Sequence, residues 1–482
     1  VNIYTFLTLL PFLVFLYLLL AKKLSLLLCS LITLLLFLFF SIFTWQILPP
    51  AIYTSFSSGL KVGLDIFLII VGALFFLDFL RHHHIIDHLI KYLESVSSDY
   101  RVQVIILAWF LENFIEGIAG FGTPSTIVAP ILVGLGFTPV TAVVLALLGN
   151  SISVVFGAVS TPIRTGFATL PELGVATFSA ALSWVAIIIP VFMLWVVVKA
   201  KKRPISEFIA ALPFALWSGF TYIFSTYLVA LFIPELAAIL GSIIGFSIIF
   251  ISLKLKIFTP KTSISLNTTT DSFRPTTLLK TFSPYIVFIL FLILSKLYFG
   301  KVSNPGLIFI LTTIIFSLLW PTKTSHLKNI FIKSVKSALN PFLVIVFMST
   351  IVAILTNSGL NSSGLISMSD TLVSSIKSIG IIFLSPFIGA FGSFITGSAT
   401  VSNIMFGQLL YKASVETGVI PVLVLSLQLV GAAIGNMIAL SDMVTAEIVV
   451  GLKNGESELI SKLFPFTISL IILLSLIGLL IG

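Results

Sequence analysis

The residues Glu112–Pro130, ENFIEGIAGFGTPSTIVAP, place two carboxylates four apart and follow them with three glycines and a proline within eight residues. On a helix, Glu112 and Glu116 share one face. The surrounding chain is so apolar that an ionisable side chain here is a functional candidate by default, and proton carriage is chemistry that a buried carboxylate can perform. Glu116, nearer the break at GFGTP, is the stronger candidate, while Glu112 reads equally well as a structural hydrogen-bonding group. A break leaves backbone N–H and C=O groups unpaired. In lipid that costs several kcal/mol per group, so breaks persist only inside protein or around a wet cavity. The helix that restarts after the break points its N–H groups and dipole at a place suited to a carboxylate. Gly120 and Gly122 permit close backbone approach, and Thr123 and Ser125 add hydroxyls.

A second break, TGSAT at Thr396–Thr400, offers the same types: Gly397, Ser398, Thr400, Ser402 and Asn403. Asn150 and Asn436, each after a glycine, supply amide donors and acceptors. Asp442 follows Asn436 closely enough to line the same space. Against this stands a plainer reading, in which small residues merely let membrane helices pack. Asp65 reads as a cap near a helix end and Arg164 as a solvated loop residue. RHHHIIDH (Arg81–His88) has His84 and His88 at i, i+4, but no H-E-x-x-H and no third ligand cluster. It reads as an interfacial amphipathic helix rather than a metal site.

The elements that position these residues follow from composition. Of 482 residues, 58% are hydrophobic and 9% charged, which marks an all-α polytopic membrane protein. Ten-residue alternating strands are absent, which argues against a barrel. The single cysteine, Cys29, excludes an internal disulfide. The run Phe6–Leu20 lacks a signal-peptide n-region and cleavage site and is expected to be retained. Twelve full spans are expected: 2–20, 24–48, 60–80, 138–160, 173–199, 207–232, 234–255, 282–298, 304–321, 335–356, 417–440 and 463–481. Segments 102–136 and 380–413 are interrupted and read as re-entrant hairpins with arms of about 24 Å, too short to cross a core of about 30 Å. The polar stretch 256–281 reads as a flexible connector.

With those hairpins, the 26 basic residues divide 20 to 6 between the two sides. The richer side is then cytoplasmic and both termini lie outside, in a multi-pass plasma-membrane protein. The net charge of +9 is thereby assigned to orientation, not to nucleic acid. The chain also repeats: LKVGLDIFLIIV (60–71) matches VKSALNPFLVIV (335–346), and the same offset lays Gly122 on Gly397, Thr123 on Ser398 and Ser125 on Thr400. Residues 1–200 and 276–482 then form two repeats, linked by a helix pair and the polar loop in 201–275. The even number of linking spans inverts the second repeat. Inverted repeats with broken helices are a transporter signature.

FIEGIAGFGTPSTIVAPILVGLGF, VLALLGNSISVVFGAVSTPI, GAFGSFITGSATVSN, GAAIGNMIA and GLKNGESELISKLFPFT resemble, in order, the lactate permease family over roughly residues 50–165 and 380–470. That resemblance implies proton-coupled uptake of L-lactate, often also glycolate, in a fold of the ion transporter superfamily, with an elevator-type motion. Ala399 stands where the family often has an acidic or amide side chain, and Asn436 where some members carry lysine; Asp442 is a candidate for the displaced acid. The expected partners are a small carboxylate, a proton and the lipid bilayer. No cofactor, metal or nucleic acid is implied, and a homodimer is compatible. The rivals are a sodium-coupled carrier of another small carboxylate and an integral membrane enzyme, for which no concentrated catalytic set is seen.

Overall fold

A computed structural model describes residues 3–20, 24–120, 122–168, 170, 174–260, 275–299, 304–320, 322–373, 378–452 and 455–482. These residues are almost all helical and contain no strand, only an isolated bridge between Ile47 and Asn361. Among the described residues, eight helices are long and apolar enough to cross a membrane. A ninth arises if Pro139–Asn150 and Ile152–Arg164, bent by 43°, form one span. The polytopic membrane class is therefore established. Ile3–Leu20, Pro275–Phe299 and Pro305–Leu319 are further apolar helices.

Local chemistry explains the helix limits. Ser25, Thr138, Asn304 and Ser398 each accept a backbone N–H of the first turn, which satisfies a donor that the helix itself leaves unpaired. Pro124, Pro139, Pro305 and Pro421 occupy first-turn positions, where a missing N–H costs nothing. Two helices of 34 residues, Pro49–His82 and Thr324–Asn357, pack against one another. The second half repeats the element order of the first: two helices, a 34-residue helix, a short helix, a helix broken at glycine, a second broken helix and a closing helix. Helices Ile205–Ala230 and Ala237–Lys254 stand between the halves.

Two apolar cores result. One joins Phe15, Phe37, Trp45 and Ile66 to Ile351, Ile395 and Met405; the larger runs from Phe76 through Trp109, Leu145 and Tyr222 to Leu427 and Leu474. Several sequence readings are placed by this packing. Asp65 lies inside Pro49–His82 rather than at its end, and accepts from Asn304 Nδ2 at 2.6 Å beside the start of Pro305–Leu319. Ile85–Ser95 is the expected amphipathic helix, burying Ile85, Ile86, Leu89 and Leu93. His84 precedes it with a left-handed φ of 56° and bonds Asp87, and no metal-binding group of three His, Cys, Asp or Glu occurs among the described residues. Arg164 is not a solvated loop residue: it ends a helix, is half-buried, and feels the charges of Glu235 and Asp65. Of the connector, 261–274 lie outside the described residues, as do Lys22, Lys23, Lys301, Lys377 and Lys453 from the charge count.

Candidate functional site

The first broken element is continuous helix from Tyr100 to Ile118, widened to i→i+5 bonding over Ile106–Leu111, and it restarts as Thr123–Gly134. Wide turns of this kind often sit at functional sites; here one ends where Glu112 begins. Across the break, Ser125 Oγ donates to Glu112 Oε1 at 3.0 Å. Thirteen residues on one straight helix span roughly 20 Å, so the chain has turned back on itself. The second element behaves alike. Ser378–Thr396 and Ala399–Thr417 meet at Gly397–Ser398, and Ser402 Oγ donates to Gly389 O at 2.9 Å.

The arms differ from the expected equal pairs. Those of the second element have 19 residues each, about 28 Å, while the restarting arm of the first has only 12, about 18 Å. The repeat register at the tips also needs correction. Gly120 and Gly397 both turn with positive φ, 58° and 67°, and Ser125 and Ser402 both reach the opposite arm thirteen residues back. This pairs Gly120 with Gly397, Thr123 with Thr400 and Ser125 with Ser402, two residues away from the pairing that the long helices suggest. The matching text is IAGFGTPS against ITGSATVS.

Two further helices break at the same place. Pro139–Asn150 ends at Asn150 and bends away; Pro421–Gly435 ends at Asn436, and the chain is extended at Ala439. Beyond Asn150 the backbone enters a left-handed turn at Ala158, Val159 and Ser160, with φ of 43°, 57° and 58°. Left-handed geometry costs an L-residue roughly 1–2 kcal/mol, and such concentrations of strain cluster at functional sites. Around the point where the four breaks meet is a cavity of about 20 Å³. It is lined by Glu116, Gly120, Gly122, Gly397, Ser398, Thr400 and Asn436, and by Val154, Gly157, Ala158, Thr161, Pro162 and Ala399. One water needs roughly 10–15 Å³ on this measure, so the cavity is closed to anything much larger than a water.

The remaining predicted residues surround that lining. Asp442 is buried against both tips: Asn436 Nδ2 donates to its Oδ2 at 2.8 Å, Ser441 Oγ to its Oδ1 at 3.2 Å. A Cβ on Gly122 would lie 2.9 Å from Asp442 Oδ1. Ser393 Oγ donates to Asn436 Oδ1 at 3.0 Å, completing a Ser393–Asn436–Asp442 line. Asn150 faces Glu116, whose charged neighbour is Asp442. Thr123 is half-buried at the first tip. Ser125 and Ser402 are spent on bridging arms, and Asn403 Nδ2 donates to Pro162 O at 2.9 Å, one turn beyond the cavity.

Glu112, Glu116 and Asp442 are 0%, 3% and 4% exposed, and no lysine or arginine pairs with them among the described residues. Glu112 Oε2, Glu116 Oε2 and both amide atoms of Asn113 and of Asn150 lack a hydrogen bond of normal geometry. Each such group costs about 1–3 kcal/mol when left unpaired. Of these four residues, Glu116 lines the cavity, and Glu112, Asn113 and Asn150 lie behind it. Sequence reasoning missed Asn113, which lies between the two glutamates, and the Gly157–Pro162 turn. The text GAVSTPI carried a signal for the latter in its glycine and proline. Tyr222, from the linking helix, is buried near Glu116, Ser153 and Thr226.

Buried carboxylates, helix breaks and small residues are thus gathered at one place in a multi-pass helical membrane protein. The L-lactate permease family profile matches residues 5–299 and 298–482, and the chain belongs to that family. A Haemophilus influenzae relative, provisionally named an L-lactate permease, is 30% identical over 82% of each chain. The L-lactate permease of Bacillus subtilis is 26% identical over 78% of this chain and 76% of its own. The glycolate permease of Escherichia coli K12 is 26% identical over 92% and 90%.

Proposed function

We propose that this chain is a secondary transporter that moves L-lactate, or a close 2-hydroxy monocarboxylate, across the plasma membrane together with protons. The observation that carries the reading is the convergence of four helix breaks and of Glu116 on one small cavity, with Asp442 packed against its lining residues Asn436 and Gly122. N–H groups at the starts of Thr123–Gly134 and Ala399–Thr417 suit a carboxylate, Ser398 and Thr400 suit its hydroxyl, and Glu116 is the proton carrier. Asn150 and Asn436 fix the two halves of the site, and the backbone at Gly120, Gly122 and Gly397 lets the anion approach.

The fold behind this reading is twelve spans and two re-entrant hairpins in inverted repeats, 1–200 and 276–482, with both termini outside. The long helices Pro49–His82 and Thr324–Asn357 act as the scaffold against which the broken helices slide as an elevator. The matched element order and tip geometry support it. The test is lactate uptake into proteoliposomes with pH and sodium gradients imposed separately. Accumulation is expected with the pH gradient alone. Accumulation with the sodium gradient alone overturns the proton reading, and none with either overturns lactate as the substrate.

A further inference from the structure

Beside the closed cavity lies a second, larger one that the proposed site does not use. Its volume is about 200 Å³, and its polar lining includes Thr165, Ser349, Thr356, Asn357, Asn403 and Gln408. It sits between the long helices Pro49–His82 and Thr324–Asn357 on one side and Arg164–Leu170 with Ala399–Thr417 on the other. Thr165 Oγ1, Ser349 Oγ, Asn403 Oδ1 and Gln408 Oε1 are all buried without a hydrogen-bond partner. A merely structural seam would satisfy or remove such groups, because each costs about 1–3 kcal/mol unpaired. No charged side chain lines it, so hydroxyls and amides are what an occupant meets.

The two cavities are stacked along the same two elements. Thr161 and Pro162 line the closed one, and Thr165 and Gly166 the larger one. Thr400 lines the closed one, and Asn403 and Ile404 the larger one. Each step is about one helical turn, or 5.4 Å. Between them stands one hydrogen bond, from Asn403 Nδ2 to Pro162 O at 2.9 Å. Gly166 lets Asn403 stand there, since a Cβ on it would lie 2.8 Å from Asn403 Cβ.

We infer that the larger cavity is a vestibule that binds the hydroxy-carboxylate in transit, and that the Asn403–Pro162 bond is the gate between it and the tip site. This rests on the lactate reading above. Neutral hydroxyls and amides can bond both the carboxylate and the hydroxyl of such an anion without holding it as tightly as a cation would, which suits a site that must release its occupant. Asn403, expected from sequence to bind substrate at the tip, serves the path to it instead.

The test uses the full chain with Cys29→Ser and Ser58→Cys, Ser58 being an exposed residue of the vestibule wall; Thr356→Cys serves if the first fails to fold. Modification by a membrane-impermeant thiol reagent is timed with and without lactate. Lactate at about ten times its Kd is expected to slow modification by about tenfold. Protection is expected to persist when the tip is disabled by Gly397→Val or, should that variant not reach the membrane, by Asp442→Ala. Protection that vanishes with the tip overturns the vestibule. So does an absence of protection in a protein that still transports lactate, where the cavity holds water only. A parent chain that does not transport lactate overturns the functional reading, and the vestibule falls with it.

Discussion

Asn436 Nδ2 donates a 2.8 Å hydrogen bond to Asp442 Oδ2, and the other oxygen of that carboxylate lies against the backbone of Gly122. One side chain thus ties the second broken span to the tip of the first broken helix, and it is also near Gly397. The relationship makes Asp442 a positioning residue first and a proton site only second. Asp442→Ala leaves Asn436 Nδ2 unpaired at a cost of about 1–3 kcal/mol. Lactate uptake is expected to fall about tenfold or more. Asp442→Asn keeps an acceptor and should retain exchange of lactate across the membrane. Parental uptake by Asp442→Ala shows that the tips do not need this anchor.

Glycine at the tips is a steric requirement. Gly122 and Gly397 have positive φ, and a side chain would meet Asp442 Oδ1 at one and overlap Ser441 at the other. Gly157 is packed so closely on Glu116 Oε1 that a Cβ would overlap it. Gly122→Val, Gly397→Val and Gly157→Ala are expected to abolish transport with protein still in the membrane. The measurement is uptake normalised to membrane-inserted protein. Normal uptake by the two valine variants shows that no ligand comes near the tips.

Much of this arrangement was legible because it rests on short-range chemistry. Long apolar runs must be helices, and Gly397 beside Ser398 announces a break with a new cap. The paired tips were read two residues out of register because the long helices carry the clearer repeat, and the tips shifted against them by a short insertion. Gly157 and Pro162 hinted at a break, but the left-handed turn at Ala158–Ser160 itself had no signal: neither alanine, valine nor serine favours that geometry. Only packing around Glu116, supported by the Ser160 Oγ bond to Pro234 O at 2.6 Å, holds it there. The spacing to Asn436 pointed to Asp442, but its contact with Gly122 in the other half is one that sequence spacing does not report.

Topology is tested by three cysteines placed singly on Cys29→Ser. Ser325 is exposed at the start of Thr324–Asn357; Ser362 is exposed in the loop after that helix, upstream of the second broken element, and Glu416 near that element's C-terminal end. If that element is re-entrant, Ser362→Cys and Glu416→Cys label from the same side, outside, and Ser325→Cys labels only from the cytoplasm. Labelling of Ser362→Cys and Glu416→Cys from opposite sides makes the element a full span and removes the inversion of the second repeat.

Glu116 is expected to carry the coupled proton. It lies in the lining of the closed cavity, faces Asn150, and is 3% exposed, with no lysine or arginine paired to it among the described residues. An ionised carboxylate is expensive in such a place. A carrier that loads a proton and an anion together avoids moving net charge through it. Glu116→Gln keeps the shape and the capacity to hydrogen-bond but cannot titrate. Accumulation of lactate driven by a pH gradient is expected to disappear. Exchange of labelled for unlabelled lactate is expected to survive, because exchange needs the loaded carrier to reorient but not to give up a proton. Glu112→Gln should be milder, since Glu112 is engaged by Ser125 at 3.0 Å and does not line the cavity. Both assays are run on the same proteoliposomes, so a fall in one without the other separates coupling from folding. Accumulation at the parental level in Glu116→Gln moves the proton to another group, with Asp442 next in line. Loss of exchange as well makes Glu116 a binding or folding residue, and the coupling role then fails.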